Sequence, residues 1–326
     1  MITNRRSAIL LAATCLTLAG MGTAAAQDLD KVRVGVFPSS SALPYYIALD
    51  RGYFAGQGIE VETVILSTHP LIIQSLVTGD IDVASNVVTL EGANIVARRP
   101  DTLKYIAING QNAEYITEQF VVPADSEAET LADLEGARLF SAPGPANMGA
   151  AIAVLSEIGL EEGADYTMQE QPMGNHIGAI QSGSFEGGYT LEPLATNMIA
   201  QGIAKRLEAG VISTYLLGDA QAEAYAAGAA FSSSFIGDKA DVAARFAAAW
   251  ALAVEDANND PSARELLAGD MNVPPDLVRT VPLAHFVMAS DLTEDDIADF
   301  QKFVDVGVDL GVVPTTVDAS TLLTSY

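Results

Sequence analysis

The sequence predicts an α/β fold of two similar lobes, and three observations carry that expectation. Short strand-like runs alternate with helical segments, the alternation restarts about 104 residues later, and the last quarter of the chain returns to helical patterns. Strands alternating with helices imply a mainly parallel sheet covered on both faces.

In chain order, "KVRVGVF" (31–37) alternates apolar and small residues as a strand does, and "PSSSALPYYIALDRGYF" reads as a loop opening a helix. "IEVETVIL" (59–66) is the next strand, "PLIIQSLVTG" (70–79) a helix, "IDVASN" (81–86) a strand and "LKYIAIN" (103–109) another. The pattern then repeats. Residues 133–159 again read as strand, Gly/Pro loop and helix, and "NHIGAIQSGSFEGGYT" (175–190) as helix, turn and strand. At one offset of 104, Gly79 falls on Gly183, Asp82 on Glu186, Phe37 on Ser141 and Ala42 on Ala146. "LATNMIAQGIAKRLEAG" (194–210) reads as a helix and "AAGAAFSSSF" (226–235) as a strand. A long amphipathic helix follows, with Val242, Phe246, Trp250 and Val254 on one face, and helical segments continue to the end. The expected organisation is an export signal at 1–26, lobe one at 27–118 and 236–326, and an inserted lobe two at 119–235. Two crossings, near 119 and 235, would permit hinge closure over a cleft.

The signal is read from Arg5-Arg6, an apolar run from Ala8 to about Ala19, and Ala24-Ala25-Ala26, with cleavage expected near Ala26. The run is shorter than the roughly 20 apolar residues a membrane span requires. The arginine pair leaves general and twin-arginine export both open. Cys15, the only cysteine, lies inside this segment, so disulfides and cysteine chemistry are not expected in the mature chain. Without the signal, 14 basic residues face 42 acidic ones. That balance repels nucleic acid and anionic lipid, so neither is an expected partner.

Ligands of open α/β sheets bind beyond the C-terminal ends of the strands. That rule selects Ser40, Ser41, Tyr45, His69, Ser85, Asn86 and Gln111 in the first lobe, and Gly144, Asn147, Met148, Asn175, Tyr189, Thr190 and Glu192 in the second. Nearly all are polar and uncharged, which suits recognition better than catalysis. The serine run and "PGPAN" are expected to form two donor-rich concavities suited to an anionic or strongly polar head group. His69, His176 and His285 have no spacing that makes a zinc site, and no G-x-S-x-G, P-loop or dinucleotide fingerprint is present. No catalytic residue, metal or cofactor is therefore expected. Asp80 and Asp82 in "GDIDVASN" are read as turn and scaffold, with Ser85 and Asn86 facing the ligand.

"VRVGVFPSSSALPYYIALDRGYFAGQGIEVE", "LVTGDIDVAS", "TLADLEGARLFSAPGPANMGAAIAVLSEIGL", "GSFEGGYTLEP" and "VVPTTVD" together resemble the periplasmic solute-binding proteins of ABC importers, in the nitrate/sulfonate/taurine group that also holds binders of thiamine-pyrimidine precursors. The most specific pieces are Ala48, Gly52, Tyr53, Phe54 and Gly58, "GDIDV", and Glu192-Pro193. The resemblance implies the two-lobed periplasmic-binding-protein fold of type II, with a ligand cleft between the lobes. It implies a periplasmic, monomeric, non-enzymatic protein that hands a small solute to the permease subunits of an ABC importer. The expected cargo is a small anion of the sulfonate, nitrate or taurine kind, with a neutral heteroaromatic such as a pyrimidine as the alternative. Enzymes that share the fold and make thiamine pyrimidine carry a cysteine-rich motif, which this chain lacks after its signal.

Overall fold

The computed structural model describes residues 29–326 and contains two sheets flanked by helices; the expected export signal lies outside the described residues. Eleven strands are described: β1 (Asp30–Val36), β2 (Ile59–Ile65), β3 (Val83–Val88), β4 (Leu103–Gln111), β5 (Glu118–Pro123), β6 (Arg138–Ser141), β7 (Thr167–Glu170), β8 (Gly187–Leu191), β9 (Ala204–Ala209), β10 (Ala224–Ser232) and β11 (His285–Met288). The larger sheet has the order β11-β4-β10-β3-β1-β2, and the smaller β7-β6-β8-β5-β9. Within the first, β1 runs parallel to β2 and β3, whereas β10 runs antiparallel between β3 and β4. In the second, β6 is parallel to β7 and β8, and β5 is antiparallel to β8 and β9.

The central strands read as continuous apolar runs because both their faces are covered: every residue of β3 is buried. The helix Ala240–Asn259 supplies much of that cover. Its Val242, Phe246, Trp250 and Val254 are all buried, as their spacing predicts, and the Phe246 ring stacks on Phe54 with centroids 4.6 Å apart.

The internal repeat has a physical counterpart. In the larger sheet the Asp82 carboxylate accepts the Arg33 amide at 2.9 Å and the Arg33 guanidinium at 2.9 and 3.1 Å. In the smaller sheet Glu186 accepts the Arg138 amide at 2.7 Å and its guanidinium in the same way. Each acid follows a glycine in the left-handed region, Gly79 at φ 77° and Gly183 at φ 66°. In each half, then, a glycine reverses the chain and the acid ties the reversal to the start of the first strand. Asp82 is scaffold, and so is its counterpart.

Three expectations from the sequence need correction. Residues 194–210 are not one helix: Leu194–Ala200 is helical, Gly202 turns the chain at φ 66°, and β9 follows. The turn costs little at glycine and ends the helix there. β10 lies in the larger sheet, hydrogen-bonded to β3 and β4, so the second crossing falls in 210–223 and not near 235. Its small residues conceal which sheet it joins; Gly228 shows why they are needed, since a Cβ there would sit 2.4 Å from the Ala107 carbonyl oxygen. Finally, the C-terminal region contains β11, a four-residue edge strand too short for its alternation to be read among helices.

Candidate ligand-binding site

Loops from both sheets meet around a partly open cavity of about 50 Å³. A buried water needs roughly 10–15 Å³, so this space takes a few waters or the head group of a small solute. It lies past the C-terminal ends of β1, β3, β4 and β8, where the strand rule places ligands.

Of the residues expected at the site, Ser40, Ser41, His69, Gln111, Asn147, Tyr189 and Glu192 line this cavity. The other seven do not. Tyr45 is fully buried in the core of the larger half, its ring beside Phe54 and its hydroxyl 2.5 Å from the Thr63 hydroxyl. Met148 is half-buried against the core of the smaller half, and Asn175 is exposed. Thr190 lies beneath the cavity wall, 2.8 Å from the His176 Nδ1 atom. Gly144 holds a φ of 104° with no room for a side chain, since a Cβ would approach Glu91 Oε1 to 2.8 Å.

Ser85 and Asn86 are buried behind the serine loop and do not face the cavity. Asn86 Oδ1 accepts from the Phe37 amide at 3.0 Å and the Ser85 hydroxyl at 2.8 Å; its Nδ2 donates to the Phe37 carbonyl and to the Ser39 and Ser41 hydroxyls. One amide side chain therefore holds the loop that forms a cavity wall. Sequence position brought Asn86 to the right strand end, but which way its side chain points depends on the loop it supports.

The serine loop presents fewer free donors than its composition suggests. The Ser39 amide donates to Phe37, the Ala42 amide to Ser39, and the Ser40 amide to the Glu192 carbonyl at 2.9 Å across the cleft. On the opposite wall, the first turn of helix Pro145–Glu157 faces Glu91, a carboxylate of helix Thr89–Arg98. Burial pushes the Glu91 carboxyl up to about 8; the Ala146 amide offsets part of that without closing a hydrogen bond, and neither Glu91 oxygen has a partner.

Two other acids, Glu192 and Glu118, line the cavity itself. Glu192 accepts from Gln119 Nε2 at 2.8 Å, the Thr196 amide at 3.1 Å and Arg206 at 3.2 Å, so its oxygens are fully engaged despite complete burial. Arg206→Met, which leaves that carboxylate buried without its cation, is expected to cost about 3 kcal/mol in urea unfolding; a loss under about 1 kcal/mol would show that Gln119 and Thr196 suffice. Glu118, at the start of β5, was not anticipated from the sequence. Its Oε2 has no partner, and burial pushes its carboxyl up to about 7. No motif marks it; its position where the chain crosses from β4 to β5 is the signal that could have found it. His69, buried against the Phe37 ring with centroids 4.2 Å apart, is driven down to about 3 by burial and is neutral. Among the described residues no cluster of metal-type ligands is found.

Two sheets flanked by helices, with a cavity between loops of both, make up the periplasmic-binding-protein fold. The chain belongs to the NMT1/THI5-like family, whose model matches residues 39–264. Its fold is shared by the alkanesulfonate-binding protein SsuA of Xanthomonas axonopodis pv. citri bound to MOPS, at TM-score 0.72 and 18% identity over 92% of this chain and 99% of that one. The periplasmic aliphatic sulphonate binding protein SsuA of Escherichia coli matches at TM-score 0.69 and 16% identity, covering 90% and 97%. The periplasmic nitrate-binding protein NrtA of Synechocystis PCC 6803 matches at TM-score 0.69 and 14% identity, covering 90% and 85%. No curated protein sequence matches the chain.

Proposed function

We propose that this protein is exported to the periplasm, captures one small solute between its two sheet-bearing lobes as a monomer, and delivers it to the permease of an ABC importer. The observation that carries the reading is the cavity itself, walled by Ser40, His69 and Gln111 from the larger half and by Asn147, Tyr189 and Glu192 from the smaller. A ligand that touches both walls binds the closed arrangement better than an open one, and closure is then its thermodynamic consequence. The crossings at 112–117 and 210–223 are the two strands about which such closure would turn.

Of the two cargo classes the sequence leaves open, the lining speaks against the sulfonate or nitrate. Among the described residues no lysine or arginine lines the cavity, while two acids do, and the Ser39, Ser40 and Ala42 amides of the serine loop are spent inside the protein. The test is a panel of sulfonates, nitrate, carboxylates, amines and pyrimidines offered to the mature protein. At least one class should raise the melting temperature and reduce the radius of gyration in scattering. If none did either, and no small molecule copurified from native cells, solute capture would be the wrong function.

A further inference from the structure

We infer that the cavity recognises an organic cation whose charged nitrogen presents N–H donors, an ammonium, amidinium or guanidinium, and that Glu118 is the residue that receives it. The inference rests on the solute-capture reading and names the chemistry of that same site. Its basis is a buried carboxylate oxygen and two amide oxygens, all without partners, on the lining of one small space. Glu118 is 2% exposed, lines the cavity, and leaves Oε2 without a partner. Asn109 and Asn147 also line it, and each spends its amide nitrogen on a backbone carbonyl, Ser41 at 3.3 Å and Pro143 at 2.7 Å. Those two bonds fix the orientation of both amides, because a carbonyl oxygen cannot accept from another oxygen without a proton. Their Oδ1 atoms make no hydrogen bond among the described residues, so each amide offers a free acceptor beside the second N–H of its nitrogen.

A carboxylate oxygen and two amide oxygens with no counter-charge form a site for donors. A buried carboxylate left unpaired is costly, and a ligand cation that pairs with it recovers that cost on binding. An anion meets the reverse situation. It would sit beside Glu118 and Glu192 with no cation on the lining, and the one nearby guanidinium, Arg206, is already held by Glu192 and Gln119. Leu90, Ala150, Ile212 and Phe303 complete the wall and suit a short hydrocarbon portion of the ligand.

The groups facing Glu118 set its proton linkage. The Tyr189 hydroxyl on β8 and the Val211 and Ile212 amides of the following turn aim donors at it and offset part of the burial, Ile212 reaching Oε1 at 3.5 Å; Glu208 acts on it from β9, and Glu192 and neutral His69 share the cavity. Burial dominates and places its titration near neutrality, at about 7. A cation binds the ionised form, so its affinity rises with pH through that range; an anion would bind the protonated form, and its affinity would fall.

The matched probes ethylamine and ethanesulfonate, with methylguanidine and nitrate beside them, separate these outcomes in calorimetric titrations of the mature protein. The expected result is that ethylamine or methylguanidine binds, with an association constant rising about tenfold between about pH 6 and about pH 8 as the competent fraction grows. Glu118→Gln should weaken that binding at least about tenfold and flatten its pH dependence. The variant's own melting temperature should hold or rise, which distinguishes a lost contact from a lost fold. Tighter binding of ethanesulfonate or nitrate, weakening as pH rises, would overturn the inference while leaving solute capture intact. So would cation binding that Glu118→Gln leaves unchanged. Failure of every probe together with a copurifying neutral solute would also overturn it; failure with no bound solute of any kind would remove the solute-capture reading itself.

Discussion

Asn86→Ala should lower the stability of the protein by about 4 kcal/mol and abolish high-affinity ligand binding at the same time. The side chain is fully buried and takes part in five hydrogen bonds, two received and three given. Each such bond contributes about 1 kcal/mol net, and each buried partner left orphaned costs about 1–3 kcal/mol. Alanine leaves the Phe37 amide and carbonyl without their partner, and water entering the small hole recovers only part of the loss. The Ser39–Ser41 loop would then lose its anchor and the cavity one of its walls. Urea midpoints read the first effect and calorimetric titration the second. A variant within about 1 kcal/mol of the parent would show that the loop is held by its own backbone turns. Asn86→Asp is no rescue, because it replaces three donated bonds with a buried charge.

Glu91→Gln should stabilise the protein increasingly as the pH rises. In the folded chain this carboxyl is buried, without a hydrogen-bond partner, facing Gly144 and the Ala146 amide, and burial raises it from an ordinary value near 4.5 to about 8. The titratable groups that act on it are Glu170 and Tyr105, neither of them a cation. Because the folded state holds the proton more tightly than the unfolded one, this group costs nothing below about 4.5, and the cost grows as pH rises to about 8 and then levels off. A shift of this size corresponds to several kcal/mol. Glu118, raised to about 7, acts with the same sign over a narrower window. The gap in urea midpoint between Glu91→Gln and the parent, measured at about pH 5, 7 and 9, should widen in favour of the variant. A gap independent of pH would mean that water reaches the carboxylate. The general repulsion among the other acids, 42 less Glu91 itself, cancels from this comparison because both proteins carry it.

Glu91 also shows why the walls of the cleft come together closely. It belongs to a helix covering the larger sheet, and the groups it faces begin a helix covering the smaller one. Gly144 leaves room for it, and any separation of the two helices would return the carboxylate to water.

Much of the fold was legible before any coordinates. The alternation of strand and helix, the restart at an offset of 104, the buried face of Val242, Phe246, Trp250 and Val254, and the scaffold role of Asp82 are local or periodic features, set by side-chain spacing along the chain. What stayed hidden had a non-local cause. β10 is rich in alanine and glycine, which carry little preference of their own, and only pairing with β3 and β4 assigns it to a sheet. Half of the expected site residues do line the cavity, because strand ends and helix starts point there by topology. The rest turn away for reasons that reside in distant neighbours: Tyr45 toward Thr63, Thr190 toward His176, Asn86 toward Phe37. Composition predicted a donor-rich concavity, yet the folded chain consumes several of those donors in its own turns and leaves the Glu118, Asn109 and Asn147 acceptors unspent. Periodicity decides where a side chain emerges, but whether its polar atoms remain free for a ligand is decided by which other parts of the chain reach them first.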